Sequence, residues 1–500
     1  MPLCMKPITQ PSIAACQSPA ALRGSKWLLA ALALTLAGCA SVSPDPLPAP
    51  VRAELAKQQL SANALAYVAW PLEAPSQTVG WQAERAMLPA STMKVVTNIV
   101  ALDRLGPGWR GRTELLAAGA LQDGVLDGPL VLRGGFDAAL DWGALAGLLR
   151  EAREAGVREV RGGLIVDRSR AQPAREDVGL APFDEAPEFP YNTLPDALNL
   201  NANELTLVLS AARGEVKARW SPAWPGITVN SERLKVSDRP CSEWEDDWQP
   251  ALVQATPSGV NVQLRGAFPK GCSVRQDLNL VDRQVLAAQS VRQLWAELGG
   301  SLLGEVREGA APPDARPLAL HRAPPLAEWL RGSLKSSDNP LTRLAYLALG
   351  AAHPQASSFA STRLAADAQV RDWLRQRRID DRSLVLDNGS GLSRIERFSP
   401  QLLAQMLAAV AQEPNAPELI TGLPLAGRDG TLSRRMKGSA AEARARLKTG
   451  TLRDAAGLAG YVQDAANRRW VVVALVNDPN APTKGRPVLD ALMAHIAALK

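Results

Sequence analysis

Ser91-Thr92-Met93-Lys94 is where this chain first shows chemistry. A serine hydroxyl is a weak nucleophile until a base removes its proton. Positions i and i+3 share a helix face, so Ser91 and Lys94 meet if the stretch is helical. Val95, Val96, Ile99, Val100 and Leu102 continue an apolar face at helical period, and Pro89-Ala90 suits a first turn. A lysine serves as base when burial or a neighbouring cation lowers its pKa. Taken alone, Ser-x-x-Lys is a short pattern, and a helix start with a solvated lysine is its commoner meaning.

Two later clusters add weight. Ser337-Asp338-Asn339 lies in mid-chain and Lys448-Thr449-Gly450 near the end. Leu326 to Leu334 and Leu341 to Leu349 read as helices, which puts Ser337, Asp338 and Asn339 on the turn between them. All three residues are also good helix caps. Leu447 to Leu452 reads as a strand. Alternation there points Lys448 and Gly450 one way and Thr449 the other, so a twist or bulge is expected to bring Lys448 and Thr449 to one cleft.

Composition excludes several classes. With 46% hydrophobic and 21% charged residues, the 500-residue chain is globular and long enough for two or three domains. Its net charge of +6 falls to +3 if a leader bearing Lys6, Arg23 and Lys26 is removed. No Lys/Arg run points to nucleic acid. The three histidines, His321, His353 and His495, show no ligand spacing, so neither a metal, another cofactor nor a Ser-His-Asp triad is expected.

The chain opens on an export pattern. Arg23 and Lys26 precede the apolar run Trp27 to Leu36, which is too short to span a membrane. Leu36-Ala37-Gly38-Cys39 resembles a bacterial lipobox, predicting removal of residues 1–38 and lipid modification of Cys39. Ordinary secretory cleavage near Ala40 is the competing reading. The stretch before Arg23 is long for such a leader, which leaves Met5 as an alternative start. Residues 39–50 read as a Pro- and Ser-rich tether. Cys241 and Cys272 are then the only other cysteines, and an oxidising compartment permits a bridge between them. Closing a loop of that length stabilises by about 3–4 kcal/mol in the chain-entropy picture.

The elements that must position these groups fall into two textures. Residues 51–112 and 317–500 read as helix, hairpin, the Ser91 helix, the middle motif and a closing set of strands and helix. Residues 113–316 read as one or two inserted, strand-rich domains, with short strands such as Leu130 to Arg133 and Leu205 to Leu209. Ala138 to Ala155 and Asp282 to Leu298 look like amphipathic helices. Trp220, Trp224, Trp244 and Trp248 suit either core packing or a stacking surface. The stretches Asp387 to Arg394 and Gly427 to Leu432 read as structural turns, with Arg394 a candidate positive charge at the rim.

Ser91-x-x-Lys94, Ser337-Asp338-Asn339 and Lys448-Thr449-Gly450, in this order, resemble the motif set of penicillin-binding proteins and serine β-lactamases. With the long insertion, the Gly389-to-Arg394 turn and Thr451-Leu452, nearly the whole mature chain is similar to class C low-molecular-mass penicillin-binding proteins, the D-alanyl-D-alanine carboxypeptidase/endopeptidases. The resemblance implies an α/β (α+β) transpeptidase-like domain interrupted by inserted domains. It implies a periplasmic enzyme acting on peptidoglycan stem peptides and inhibited by β-lactams. Ser91 would be the nucleophile, Lys94 the base and Ser337 a proton relay. Asn339 would hold the substrate amide, and Lys448 and Thr449 the terminal carboxylate. The backbone N–H groups of Ser91 and Thr451, beside Gly450, would form the oxyanion hole. Where the family often has a Gly-x-Gly-Asp-Pro-like turn, this chain has Gly134-Gly135-Phe136-Asp137-Ala138. A β-lactamase or esterase on the same scaffold, or a wall-binding lipoprotein without turnover, are the rival readings.

Overall fold

The computed structural model describes residues 47–180, 186–257 and 259–500. The expected export signal (residues 1–38), Cys39 and residues 39–46 of the expected tether lie outside them. At the tether's far end, Ala49 already begins a helix, Ala49–Gln58.

One antiparallel sheet carries the first and last parts of the chain together. Its five strands run in the order Ala445–Leu452, Ala455–Gln463, Arg469–Asn477, Leu65–Pro71 and Val79–Trp81. Alternation sorts its side chains into two layers. Ala66, Val68, Trp70, Val471, Val473 and Leu475 join a core with the helices Met93–Arg104, Leu326–Ser336 and Pro400–Val410. Leu65, Tyr67, Ala69, Val472, Ala474 and Val476 pack against Ala49–Gln58 and Arg486–Ala497 on the other side. Burial on both faces is why Trp470 to Val476 is an unbroken apolar run.

The inserted region builds separate sheets. A five-stranded one runs Val306–Glu308, Leu164–Asp167, Leu130–Gly135, Arg112–Ala117 and Arg316–Arg322. Arg316–Arg322 pairs antiparallel with Arg112–Ala117, so this sheet is completed at Arg322 and not at residue 316. The chain rejoins the layer packed on the first sheet at the helix Leu326–Ser336. Asp137, buried between these strands, accepts from the Thr113 hydroxyl at 3.0 Å and lies 2.7 Å from His321 Nδ1. The variant Gly134-to-Ala138 turn therefore ties the first and last strands of the inserted sheet together.

Helices Trp142–Glu154 and Arg283–Glu297 are capped by the Asp141 and Asp282 carboxylates. Residues 205–278 form a three-stranded and a four-stranded sheet, with a disulfide between Cys241 and Cys272. Trp220, Trp224 and Trp244 are buried there. Trp142 packs edge-on against Trp224, and Trp244 against Trp248, so these indoles serve as core.

Candidate active site

The expected regular helix start at Pro89 is replaced by a sharper device. Ala90 sits at φ 46°, outside the ordinary range for an L residue, and Ala90–Thr92 make one 3₁₀ turn before Met93–Arg104 begins. Two glycines, Gly391 and Gly450, leave the room this turn occupies. A Cβ at Gly391 would lie 1.9 Å from Ala90 O, and one at Gly450 would lie 2.8 Å from Pro89 O. Both also face Ser91 N, at 2.9 and 3.1 Å. A side chain at either would fill the space beside the N–H of the nucleophile.

Lys94 is fully buried. Its Nζ lies 3.1 Å from Ser91 Oγ and 2.6 Å from Ser390 O, and it also bonds Asn339 Oδ1. Burial pushes the Lys94 pKa well down. The cations Lys448 and Arg343 push it further, against the smaller pull of Glu396 and Asp338. A lysine whose pKa is lowered in this way and which touches a serine hydroxyl has the geometry a general base requires.

Ser337 closes the helix Leu326–Ser336 in a left-handed conformation, φ 65°. That reversal turns its hydroxyl toward the edge strand, where Lys448 Nζ donates to it at 2.8 Å. Asp338 caps the next helix by accepting from Leu341 N at 2.8 Å, so the motif that presents Ser337 to Lys448 also starts a helix. Asn339 begins that helix, Asn339–Ala351, and its Nδ2 donates to Tyr191 O at 3.0 Å. Burial lowers the Lys448 pKa to about 7.

The structure thus brings Ser91, Lys94, Ser337, Asn339, Lys448 and Gly450 together. It places Thr449 differently. Pairing of Ala445–Leu452 with Ala455–Gln463 is unbroken from end to end, with no bulge. Thr449 therefore points to the opposite face from Lys448, where its hydroxyl bonds Thr431 Oγ1 at 2.8 Å. Thr451 is exposed on the same edge strand, its hydroxyl accepting from Arg486 at 3.3 Å. Arg394 is exposed on the turn that follows Gly391.

Several contributors have no signature among the motifs. The Gly-rich turn from Asp387 supplies Ser390 O to Lys94. It is shaped from below by Glu396, whose buried carboxylate accepts from Asn388 N at 3.0 Å, Gly389 N at 2.7 Å and Gly391 N at 2.8 Å. An acid two residues before a buried Phe398 is the available signal. The other Gly-rich turn supplies Thr431. A cleft of about 550 Å³ opens beside Ser337, Asp338 and Asn339, walled by Tyr191, Glu204 and Asp277 of the insertion. A larger cavity of about 660 Å³ lies behind Arg343 and Tyr346. The first borders the motif residues through Ser337, Asp338 and Asn339, while Ser91, Lys94 and Lys448 line neither cavity.

Residues 47–497 match the D-Ala-D-Ala carboxypeptidase 3 (S13) family. The chain is 28% identical over 420 residues to D-alanyl-D-alanine carboxypeptidase DacB of Haemophilus influenzae, covering 81% of this chain and 84% of that one. It is 29% identical over 430 residues to D-alanyl-D-alanine carboxypeptidase of Actinomadura sp. strain R39, covering 82% and 77%. In fold it is similar to penicillin binding protein 4 of Haemophilus influenzae, with a TM-score of 0.75 at 24% identity over 90% of this chain and 99% of that one. A complex of that protein with a β-lactam gives a TM-score of 0.72 at 25% identity over the same shares.

Proposed function

The chain belongs to the D-Ala-D-Ala carboxypeptidase 3 (S13) family, and from that premise we propose that it is a serine-type D-Ala-D-Ala carboxypeptidase or endopeptidase acting on peptidoglycan peptides. The observation that carries this is the contact at 3.1 Å of Ser91 Oγ with the buried Lys94 amine, whose pKa burial lowers well below that of an ordinary lysine. Ser91 Oγ attacks the carbonyl carbon of the penultimate D-alanine while its proton passes to Lys94 Nζ. The developing oxyanion is met by the Ser91 and Thr451 N–H groups; one such donor typically lowers the barrier by about 2.7–4 kcal/mol. The C–N bond then breaks, and the departing amine takes a proton through the Ser337 hydroxyl. Water hydrolyses the acyl-enzyme ester. A β-lactam opened by Ser91 leaves the same kind of ester and blocks the site.

Lys448 draws the terminal carboxylate, and its charge rises as that carboxylate arrives. The Thr449 hydroxyl, bonded to Thr431, takes part in this grip only by turning toward the cleft. Arg394 extends the positive rim toward acidic groups of the stem peptide.

Export and anchoring belong to the same proposal. The lipobox-like Leu36-Ala37-Gly38-Cys39 supports a lipid-anchored periplasmic protein. The Cys241–Cys272 disulfide fits an oxidising compartment.

The test is covalent labelling by a fluorescent penicillin together with D-alanine release from muropeptides. Ser91→Ala is expected to abolish both. Labelling that persists in this variant overturns the assignment.

A further inference from the structure

Asn339 and Arg343 stand one turn apart on Asn339–Ala351, and both end on one segment of the insertion. Asn339 Nδ2 donates to Tyr191 O at 3.0 Å. Arg343 Nη1 donates to Asn192 O at 3.0 Å and to Thr193 O at 2.8 Å. These carbonyls belong to the short turn Pro190–Asn192 and the residue after it.

Proton counting gives this contact a catalytic meaning. A carbonyl only accepts, so Tyr191 O selects the nitrogen end of the Asn339 amide. Oδ1 is then the end that faces Lys94. Ser390 O, 2.6 Å from Lys94 Nζ, also only accepts. An uncharged amine has two N–H bonds and one lone pair. Asn339 Oδ1 and Ser390 O take the two N–H bonds. The lone pair is left for the remaining neighbour, Ser91 Oγ at 3.1 Å. With the amide reversed, its NH₂ group would donate to that lone pair and take it from the serine proton.

Resting on the reading of Lys94 as base, we propose that the 190–193 turn of the insertion is a positioning element of the catalytic centre. It holds the Asn339 amide in the sense that aims the Lys94 lone pair at Ser91, and Arg343 locks the turn to the helix.

Arg343 has a second, electrostatic effect on the same lysine. The charged groups around Lys94 are Lys448 on the edge strand, Arg343 on the helix, Glu396 under the Gly-rich turn and Asp338 in the middle motif. Arg343 is itself buried, which lowers its own pKa to about 10, so it remains a cation at neutral pH. Removing it leaves Glu396 and Asp338 less opposed. Protonated Lys94 is then favoured, and a higher pH is needed to free the base.

The experiment measures the second-order rate constant for acylation by a fluorescent penicillin against pH, using the whole exported protein. Arg343→Met is expected to slow acylation at neutral pH by about a hundredfold, the scale of a misplacement of about 1 Å, and to move the acid limb upward. Arg343→Lys is expected to return the limb toward its original pH without restoring the full rate. A folded Arg343→Met protein with the wild-type rate and limb overturns the proposal. A uniform loss with no movement of the limb and no rescue by lysine also overturns it, because that is plain structural damage. If Arg343→Met does not fold, Tyr191→Gly loosens the turn while leaving the helix intact; a wild-type rate there counts against the positioning role. Failure of the wild-type protein to label at Ser91 would instead remove the underlying reading of the site.

Discussion

The Lys448 amine lies 2.8 Å from the Ser337 hydroxyl, joining the last motif of the chain to the middle one. Neither group is placed by its own element alone. Ser337 depends on the left-handed end of a helix, and Lys448 on the edge strand beside it.

That contact predicts a bell-shaped pH profile. With Lys94 as the proposed base, acylation should fall with acid as Lys94 takes a proton, and burial moves this limb well below the ordinary lysine range. Carboxylate capture needs Lys448 charged, so kcat/KM should fall on the basic side near pH 7, since burial sets its pKa at about 7. In kcat the basic limb should lie higher, because bound carboxylate stabilises the charged amine. Rates of tripeptide-D-Ala-D-Ala hydrolysis across pH check both limbs. A kcat/KM that keeps rising well beyond neutral pH would refute the role of Lys448.

Gly450→Ala should separate folding from activity. The new methyl would meet Pro89 O at 2.8 Å and Ser91 N at 3.1 Å. Overpacking of this kind costs about 1–3 kcal/mol, and here the relief comes by moving the strand off the oxyanion hole. Thermal melting should fall modestly while penicillin acylation is nearly lost. Retained acylation would show that the strand does not need to approach Ser91 so closely.

Glu396→Gln should weaken the turn that presents Ser390 O. Glutamine has one acceptor oxygen where the carboxylate offers two, and its NH₂ group would face a backbone donor. A buried donor left without a partner costs about 1–3 kcal/mol. A lower melting temperature and slower acylation are expected together. An unchanged acylation rate would separate Ser390 O from the handling of Lys94.

Cys39→Ser should move the protein from the membrane fraction to the soluble fraction, with penicillin labelling unchanged. An unaltered membrane fraction would count against the lipobox reading.

The three motifs were legible because each combines residue types that ordinary helices and strands seldom need together at that spacing. Helices at Thr362–Gln376 and Pro400–Val410 went unread, although Ser361 and Ser399 cap them. The unseen part of the site is mostly backbone. Ser390 O and Tyr191 O act through carbonyls that every residue possesses, so only the folded chain reveals them. The register of Thr449 was readable from alternation, and the bulge invoked to override it is absent. Arg316–Arg322 looked like a return to the catalytic layer because a strand's partner is a long-range fact, here Arg112–Ala117.

Leu65 pairs with Val476 and Pro71 with Trp470, so a strand made near the beginning of synthesis waits for one made near the end. Ser91 reaches Gly450 and the Ser337–Lys448 pair only after that sheet closes. A chain cut short before Arg469 has no pocket in which penicillin can react. Bound antibiotic therefore counts finished molecules, and the enzyme stays silent until its last strands have arrived.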